Sequence, residues 1–319
     1  MLYFIVNEKS KSGNAKQIWK EIEEVLKVRN VSYQAFVSEY RGHAGKLAAE
    51  ICAMDDNDIC LVAVGGDGTA NEVINGITDF EKVRFGVIPT GSGNDLARGL
   101  SLSKDPKNGA IHILNAMKKS REDTWCMDLG EVNFGEKKRL FAISAGIGLD
   151  ALVCKKALKS TIKDILNKIR LGKLTYLVLT VQSLFTMQTA DAEIFFDREE
   201  GLQKKRMIFT AAMNFKAEGG GVPMAPAASA CDGKLSFCEA AGDPEVENIS
   251  VSAVFSGGKA YIYPWIFCDG CQRLYDPFKP SDGCPCRRGV LWGSDGSSFP
   301  LSAGKTSRVK IMKLRTLPS

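Results

Sequence analysis

A run of five residues, Gly65-Gly66-Asp67-Gly68-Thr69, combines residue types that bind phosphate with a single carboxylate. It follows the apolar stretch Leu61–Val64 and precedes a helix-period stretch that opens with Ala70 and Asn71. Glycines at a strand-to-helix turn let backbone amides approach an anion closely, and a helix N-terminus adds its dipole and free N–H groups. Asp67 adds a carboxylate suited to a metal-bound water or to the proton of a hydroxyl. The alternative is an ordinary tight turn, which the glycines alone would fit equally well.

A second turn repeats this logic. The predicted strand Phe85–Pro89 leads into Thr90-Gly91-Ser92-Gly93-Asn94-Asp95, and another helix-period stretch follows. The turn Asn7–Gly13 closes a third strand in the same way. Loops of this kind at the carboxyl ends of parallel strands define a crevice in which α/β sheets bind ligands. None of these turns carries the P-loop or the dinucleotide-binding pattern, so those two nucleotide-binding classes are excluded.

Short apolar runs alternate with helix-period stretches through the first third of the chain. Strands are predicted at Leu2–Val6, Ser32–Ser38, Ile59–Val64 and Phe85–Pro89. Helices are predicted at Ala15–Arg29, Ala44–Met54, Thr69–Ile77 and Leu96–Leu100. Such alternation is typical of a parallel sheet with right-handed crossovers and with helices on both faces.

After about Cys126 the pattern changes to strands without regular intervening helices. Strands are predicted at Asp128–Val132, Arg139–Ser144, Asp191–Phe196, Arg206–Asn214 and Lys234–Glu239. The exception is Ala151–Met187, whose composition is helical. We therefore predict an α/β protein of two domains, a parallel α/β domain over residues 1–126 and an antiparallel β-sandwich over residues 127–319.

The chain has 319 residues, of which 45% are hydrophobic, and a net charge of +5 with a pI of about 8.6. This balance is too weakly basic to indicate a nucleic-acid partner, but it is compatible with an anionic membrane surface. The first residues lack the pattern of a signal peptide, and no apolar run is long enough for a transmembrane segment. We therefore expect a cytoplasmic protein, in which cysteines such as Cys52 and Cys60 are buried and reduced.

Three sequence segments together resemble one known family. They are GGDGTANEV at residues 65–73, IPTGSGNDLARGL at residues 88–100 and CDGKL at residues 231–235. These segments are similar to the motifs of the diacylglycerol kinase catalytic family, in particular the soluble bacterial lipid kinases, and the resemblance extends from residue 1 to about residue 257. It implies an N-terminal α/β nucleotide-binding domain and a C-terminal β-sandwich, with ATP and a lipid meeting in the cleft between them.

The resemblance also implies a reaction, the transfer of the γ-phosphate of ATP to the hydroxyl of a membrane lipid. Diacylglycerol, which would give phosphatidic acid, is favoured over sphingoid bases because LAR follows the GSGND motif. Phosphoryl transfer depends mostly on positioning and charge neutralisation, so glycine-rich loops and Mg²⁺ are the expected equipment. Two alternatives stay open: an NAD kinase, which shares GGDGT but lacks the GSGND-LAR continuation, and a catalytically impaired membrane-binding homologue.

Matching the motifs residue by residue assigns an ATP site, a catalytic group and a metal site. The ATP contacts implied in this way are Asn7, Ser12, Gly13, Ser38, Gly65, Gly66, Asp67, Gly68, Thr69, Ala70, Asn71, Ser92, Asn94 and Asp95. Asp67 corresponds to the carboxylate that sphingosine kinases use on the acceptor hydroxyl. Asp232, with the carbonyls of Ser229 and Lys234, matches a structural Mg²⁺ position, for which a plain surface turn is the alternative.

A basic amphipathic segment lies between Asp150 and Lys173. Its cations are Lys155, Lys156, Lys159, Lys163, Lys168, Arg170 and Lys173, and they are interspersed with Leu152, Leu158, Ile162, Ile165 and Leu166. Such a segment can lie at an anionic interface with its apolar face inserted, and a solvated helix on the sandwich is the alternative. Because an acceptor in a bilayer requires a docking surface, we predict peripheral membrane binding through this segment.

Residues 258–308 do not fit the pattern of the rest of the chain. They contain Cys268, Cys271, Cys284 and Cys286, several Gly and Pro residues and little strand periodicity. Three interpretations are open: a zinc knuckle, a divergent tail, or a segment translated out of frame. Read one nucleotide later, SDGCPCRRGV permits PMAVHADGE, which is similar to the family's late Asp-Gly-Glu strand, and the frame rejoins at Lys310–Leu314.

We predict the third of these, a compensated frameshift. The family's late glutamate, a candidate proton acceptor, would then lie across the codons of Gly289 and Val290 and be absent from this chain. Little or no kinase activity is therefore expected of the chain as given.

Overall fold

The structure, a computed structural model, describes residues 1–10, 14–121, 124–134, 137–159, 179–180, 182–194, 202–241, 251–256, 259–264 and 307–316. Strands and helices alternate up to residue 117. The strands are β1 (Leu2–Val6), β2 (Tyr33–Val37), β3 (Ile59–Gly65) and β4 (Val83–Pro89). The helices are α1 (Ala15–Val28), α2 (His43–Cys52), α3 (Asp67–Gly76), α4 (Asp95–Gly99) and α5 (Pro106–Met117).

Strands β1 to β4 form a parallel sheet in the order β2-β1-β3-β4. β1, β3 and β4 are buried at every residue, as expected for strands with helices on both faces. The register aligns their carboxyl ends, because Val6 lies beside both Val37 and Val64, and Gly65 lies beside Pro89. The loops that follow these strands therefore meet at one edge of the sheet.

Two apolar cores lie on opposite faces of this sheet. On one face, Ile51 of α2 and Ile74 of α3 pack with Leu61. On the other face, Trp19 of α1 and Leu114 of α5 pack with Val62. Leu61 and Val62 are neighbours in β3, and successive strand residues point to opposite faces, so the unbroken apolar run of β3 supplies both cores.

The later strands are mainly antiparallel. They are β5 (Trp125–Phe134), β6 (Lys137–Phe141), β7 (Ser144–Gly148), β8 (Ala190–Ile194), β9 (Leu202–Met213), β10 (Ala217–Glu218), β11 (Val222–Pro223), β12 (Ser236–Ala241), β13 (Val251–Ser256), β14 (Lys259–Pro264) and β15 (Ser307–Thr316), with helix α6 at Leu149–Lys159. β15, β5 and β6 extend the parallel sheet, giving the order β2-β1-β3-β4-β15-β5-β6. A second sheet has the order β12-β9-β7, with β8 beside β9, and β10–β11 and β13–β14 form two hairpins. The predicted α/β fold followed by antiparallel strands is thus confirmed.

The single strand predicted at Arg139–Ser144 is wrong, because the chain changes sheets within it. Phe141 pairs with β5 of the large sheet, whereas Ser144 pairs with Met213 of β9. Buried Asn214 holds this crossing: its Nδ2 donates to the carbonyls of Asp128 at 2.7 Å and Ala142 at 2.8 Å. The Asn214 side chain donates to both of these buried carbonyls and so stabilises the crossing.

Two helical regions also differ from the prediction. α5 was not predicted, although Asp105-Pro106 is a helix-start signal and the Asp105 carboxylate accepts the amide of Asn108 at 3.1 Å. Of the predicted helical stretch Ala151–Met187, α6 and residues 179–180 and 182–186 are helical, while 160–178 and 181 lie outside the described residues. Within the described ranges no helix is both long and apolar enough to cross a bilayer.

Candidate active site

Two glycine-rich loops lie side by side at the carboxyl edge of the parallel sheet. The first joins β3 to α3, with Gly66 as the N-cap of the helix, and the second joins β4 to α4. The amide of Thr90 donates to the carbonyl of Gly65 at 2.9 Å, so the loops remain in contact beyond the paired strands. The sequence prediction that these turns share one crevice agrees with this arrangement.

Glycine is required where the two loops touch. A Cβ on Gly91 would lie 2.7 Å from the Cα of Gly66, and a Cβ on Gly66 would lie 3.2 Å from the Cα of Gly91. Gly68, in the first turn of α3, differs because a Cβ there would meet nothing within 4 Å. The N-terminus of α3 is therefore open to solvent at Gly68, where backbone amides without intrahelical partners can face an anion.

Asn94 shapes the second loop. Its backbone is left-handed, with φ of 55°, a conformation that Asn tolerates better than most residues. Its side chain closes the loop on both sides, accepting the amide of Gly91 at 2.9 Å and donating to the carbonyl of Gly91 at 2.8 Å. Ser92 is exposed at the tip of this loop.

Asp67 lies between the loops and is held by the N-terminus of α4. Its Oδ2 accepts the amide of Asp95 at 3.1 Å and its Oδ1 accepts the amide of Leu96 at 3.0 Å. Burial raises the pKa of Asp67 above its ordinary value and the charge of Asp95 adds to this, while the amides of Leu96, Asp95 and Asn94 oppose it. The result is an oriented carboxylate that binds a proton more readily than an exposed aspartate does.

The first strand adds polar groups to the same edge. Asn7 donates through Nδ2 to the Oγ1 of Thr69 at 3.0 Å, and the hydroxyls of Ser10 and Thr90 are 2.5 Å apart. Ser38, at the end of β2, donates its amide to the carbonyl of Val6 at 2.8 Å. The predicted ATP contacts Ser12 and Gly13 lie outside the described residues.

One predicted ATP contact has its side chain engaged elsewhere. Asn71 is buried, and its Nδ2 donates to the carbonyl of Leu140 at 3.0 Å, while its Oδ1 accepts from Arg139 at 3.1 Å. These bonds join α3 to β6. Ala70 is also buried, and its amide completes the first turn by donating to Gly66 at 3.1 Å.

A hairpin from the later part of the chain contacts the second loop. Both carboxylate oxygens of Asp95 accept the amide of Gly220, at 3.1 and 2.9 Å, and Asp95 also forms an ion pair with Arg98. Gly219, Gly220 and Gly221 connect β10 to β11, each with positive φ. The sequence analysis missed this contact, although three consecutive glycines were a signal for a tight turn.

The Asp95 carboxyl acts on that of Glu218, as does the carboxyl of Asp150; the sequence analysis singled out neither Glu218 nor Asp150. Burial and the charges of Asp150 and Asp95 raise the pKa of Glu218 to about 8, against the hydrogen bond from Ser144. Burial raises the pKa of Asp150 to about 6, against a weak contact from Cys154. Nothing in their local sequence marks these carboxyls, because their neighbours come from distant elements.

The predicted metal loop is a tight turn next to β5. Gly233 has φ of 70° and donates its amide to the Oδ2 of buried Asp128 at 2.6 Å. The amide of Lys234 donates to the Oδ1 of Asp232 at 3.0 Å, which leaves the other Asp232 oxygen available. Carboxylate and carbonyl oxygens suit a hard cation, so this loop fits Mg²⁺ in its donor chemistry. Among the described residues, no cluster of three or more His, Cys, Asp or Glu side chains is arranged to hold a metal.

The basic segment is described only at its start. Lys155 is exposed on α6, and Lys156 donates to the hydroxyl of Thr186 at 3.0 Å, which links α6 to the helical residues 182–186. Phe185 is 86% exposed on that second stretch. The predicted membrane contacts Lys163, Lys168, Arg170 and Lys173 lie outside the described residues, as do Cys268, Cys271, Cys284 and Cys286.

Comparison with known proteins gives consistent matches. The family model described as the diacylglycerol kinase catalytic domain matches residues 1–127. The Bacillus subtilis protein named "Putative lipid kinase YtlR" is 31% identical over 232 residues, which are 71% of this chain and 73% of that protein. The diacylglycerol kinase of the same species is 30% identical over 190 residues, covering 58% of this chain and only a little over half, 56%, of the kinase. A crystal structure of a diacylglycerol kinase from Bacillus anthracis str. Sterne superposes with a TM-score of 0.53 at 23% identity, over 75% of this chain and 72% of the other.

Proposed function

Because this chain belongs to the diacylglycerol kinase catalytic-domain family of lipid kinases, we propose that it transfers the γ-phosphate of ATP to the hydroxyl of a membrane lipid. The proposed acceptor is diacylglycerol and the product phosphatidic acid. The names of the relatives support this acceptor, and the GSGND motif followed by LAR, at residues 91–98, supports it from the sequence.

The observation that carries the proposal is the open N-terminus of α3 beside a partly buried, oriented carboxylate. A Cβ on Gly68 would meet nothing within 4 Å. Asp67, the preceding residue, is held by two amides of α4. A phosphate at the helix N-terminus would thus lie close to a group able to take a proton. This is the juxtaposition that transfer of a phosphoryl group to a hydroxyl needs.

Each part of the crevice has a proposed role. Residues 1–126 bind ATP through Asn7, Ser12, Gly13, Ser38, Gly65, Gly66, Asp67, Gly68, Thr69, Ala70, Asn71, Ser92, Asn94 and Asp95. For Ala70 and Asn71 the proposed part is to hold the first turn of α3 in shape, since the Ala70 amide bonds to Gly66 and the Asn71 side chain bonds to β6. Asp67 takes the proton of the acceptor hydroxyl, and its raised pKa favours that uptake. Residues 127–319 supply the lipid-binding side.

Magnesium has two proposed places. When bound with ATP, Mg²⁺ neutralises phosphate charge and so makes the γ-phosphate easier to attack. A structural Mg²⁺ would be held by the Asp232 carboxylate and the carbonyls of Ser229 and Lys234, within the turn that the Gly233–Asp128 hydrogen bond ties to β5.

We also propose that the protein is cytoplasmic and docks on an anionic membrane surface. Exposed Lys155 and Phe185 lie on helical segments that Lys156 and Thr186 join. Exposed basic and aromatic side chains on two joined helical segments suit the interface between headgroups and acyl chains.

Residues 258–308 are proposed to be out of frame. Their end overlaps β15, which pairs with β5 at ten consecutive positions from Ser307 to Thr316. Regular pairing does not by itself bound the segment, because β14 (Lys259–Pro264), which lies inside it, pairs with β13 at six positions. The proposal therefore rests on the sequence, in which the shifted frame permits the family's late strand. Restoring the frame by one base change at each end is expected to restore kinase activity.

The reaction is tested by supplying ATP labelled at the γ-phosphate together with a total bacterial lipid extract or with NAD. Labelled phosphatidic acid is the expected product of the frame-restored chain. Label in NADP instead would identify an NAD kinase. If intact protein labels neither acceptor yet sediments with vesicles, the catalytically impaired homologue is the better description.

A further inference from the structure

Two carboxyl groups lie over a strip of small residues on β7 and β9. A Cβ on Gly146 would be 2.5 Å from the Oδ2 of Asp150 and 3.3 Å from the Cβ of Ala211. The Asp150 carboxyl therefore occupies the space that a side chain on β7 would otherwise fill. Two residues earlier on the same strand, the hydroxyl of buried Ser144 makes a short hydrogen bond with the Oε2 of Glu218.

One oxygen of these two carboxyl groups has no hydrogen-bond partner among the described residues. The Oδ2 of Asp150 is fully buried and makes no hydrogen bond with any group in the described part of the chain. An ionised carboxylate oxygen left in this state is costly, because burial removes its water without replacing it. A second negative charge beside it, on Glu218, would raise this cost further.

The surrounding charges do not balance the acids. Asp150 faces Glu218 from α6, and Asp95 faces it from α4. The cation on α4 is Arg98, which is paired with Asp95 and one-third exposed, and Lys216, on the same hairpin as Glu218, is exposed. Because Arg98 is already paired, ionising both Glu218 and Asp150 would place unbalanced like charges at short range, which disfavour each other.

The hairpin that carries Glu218 also holds the candidate site. Gly220, two residues after Glu218, donates its amide to both oxygens of Asp95. The amide of Asp95 in turn donates to Asp67. A displacement of Glu218 would therefore reach Asp67 through Gly220 and Asp95.

We infer that Glu218 is a positioning residue of the proposed kinase site, and that it works as an uncharged acid beside the carboxyl of Asp150. In this state Glu218 keeps its hydrogen bond with Ser144, and the hairpin holds Gly220 on Asp95. When the proton leaves, the repulsion between the two carboxylates loosens the hairpin, and Asp95 loses the Gly220 amide. The inference rests on the proposed function, because it takes Asp95 and Asp67 to be part of the kinase site.

The pKa of Glu218, raised to about 8, gives the pH range of the test. An unfolded glutamate releases its proton near pH 4.5, whereas the folded protein keeps this proton to about pH 8. The unfolded state thus binds fewer protons between these values, so rising pH lowers the free energy of unfolding across this interval and has no further effect above it. Gln at position 218 is neutral at every pH and removes this term.

The experiment compares the full chain with Glu218→Gln, Glu218→Ala and the exposed control Glu50→Gln. Unfolding by urea and MgATP binding by calorimetry are followed as pH rises from 5 to 9. We expect the stability of the parent to fall relative to Glu218→Gln up to about pH 8, and its MgATP affinity to fall about 5-fold in passing that pH. Glu218→Gln should keep its affinity, and Glu218→Ala, which loses the contact with Ser144, should bind weakly at every pH.

An infrared spectrum at neutral pH supplies a second readout. A band of a protonated carboxylic acid should be present in the parent and absent in Glu218→Gln. Parallel stability curves for these two proteins, or a parent without that band, would overturn the inference. So would MgATP affinities that depend on pH equally in both. Folded protein that never binds MgATP, with the stability curves still diverging, would instead contradict the proposed function.

Discussion

At the scale of single residues, Asp67 combines two functions in one side chain. Its oxygens cap α4 by accepting the amides of Asp95 and Leu96, and its buried position raises its pKa. A carboxylate held at both oxygens cannot rotate away from the loop, so its direction is set before any ligand arrives. Such preorganisation is what makes a general base effective.

Asp67→Asn should lower lipid phosphorylation by about 100- to 10,000-fold in a frame-restored chain, because the amide cannot take a proton. The fold should persist, since Asn can still accept one amide, at a cost of about 1 kcal/mol. Turnover and thermal unfolding are the measurements. Asp105→Asn is the matched control, because Asp105 also caps a helix but lies at α5. Near parental turnover in Asp67→Asn would remove Asp67 from the mechanism.

The pH dependence of turnover follows from the same carboxylate. Because burial raises the pKa of Asp67, the base should become protonated at a higher pH than an exposed aspartate would. Turnover should therefore fall on the acid side, beginning above the range typical of aspartate. A rate profile whose acid limb lies below that range would show that a different group limits the reaction.

Some of the site residues were predictable from their types alone. Asp67 and Asn94 belong to short runs in which glycine, amide and carboxylate residues follow an apolar strand. The residue types in each run are enough to predict a ligand-binding loop there. Glu218 and Asp150 carry no such local signal. Gly220 contacts Asp95 across 125 positions of sequence, and a contact of that separation has no periodic pattern that a single sequence can display.

At the scale of elements, the glycines of the two loops have two different roles: some let the loops pack together, and one leaves room for a ligand. Gly91 faces the backbone of Gly66, whereas Gly68 faces open space. Gly66→Ala would mix both effects, because its Cβ would lie 3.2 Å from Gly91 while also narrowing the approach to the helix N-terminus.

Gly68→Ala should weaken MgATP binding roughly 10-fold by blocking close approach of phosphate to the α3 amides. Stability should not fall, since alanine favours the helix by about 1 kcal/mol. Calorimetric titration and urea unfolding measure the two effects. Gly109→Ala in α5, where the Cβ would make ordinary contact with Ile88 at 3.8 Å, is the control. Unchanged MgATP affinity in Gly68→Ala would place the phosphates elsewhere.

Gly91→Ala should behave in the opposite way. Its Cβ would lie 2.7 Å from backbone, so the loops must separate, at a cost of about 1–3 kcal/mol in the free energy of unfolding. Thermal unfolding measures this directly. A variant as stable as the parent would show that the loops do not depend on this contact.

The periodic elements were predicted well and the sheet change was not. Ile59–Val64 and Phe85–Pro89 are continuous apolar runs, and both are buried strands. The error at Arg139–Ser144 has a physical cause: residues on both sides of the crossing are extended, and the switch depends on distant Asn214. Strand pattern alone cannot indicate which neighbour a strand will pair with.

At the scale of the whole molecule, the protein should bind vesicles that contain anionic lipid and be released by salt, because surface attraction is screened over about 10 Å at 0.1 M ionic strength. Replacing Lys155, Lys156, Lys159 and Lys163 with glutamine should reduce binding in a sedimentation assay. The matched control replaces four lysines elsewhere, Lys20, Lys27, Lys118 and Lys119, and so changes the net charge equally. Equal loss in both variants would indicate a general charge effect rather than a docking surface.

The central claim is that this protein is a lipid kinase in which Asp67 takes the proton of the acceptor hydroxyl. The most direct measurement is the transfer of labelled γ-phosphate from ATP to diacylglycerol in anionic mixed micelles, made with the chain as given, its frame-restored version and the restored version carrying Asp67→Asn. We predict labelled phosphatidic acid from the restored chain, and little or none from the other two. A restored, folded chain that labels no lipid, or an Asp67→Asn variant that labels diacylglycerol as fast as its parent, would contradict the account.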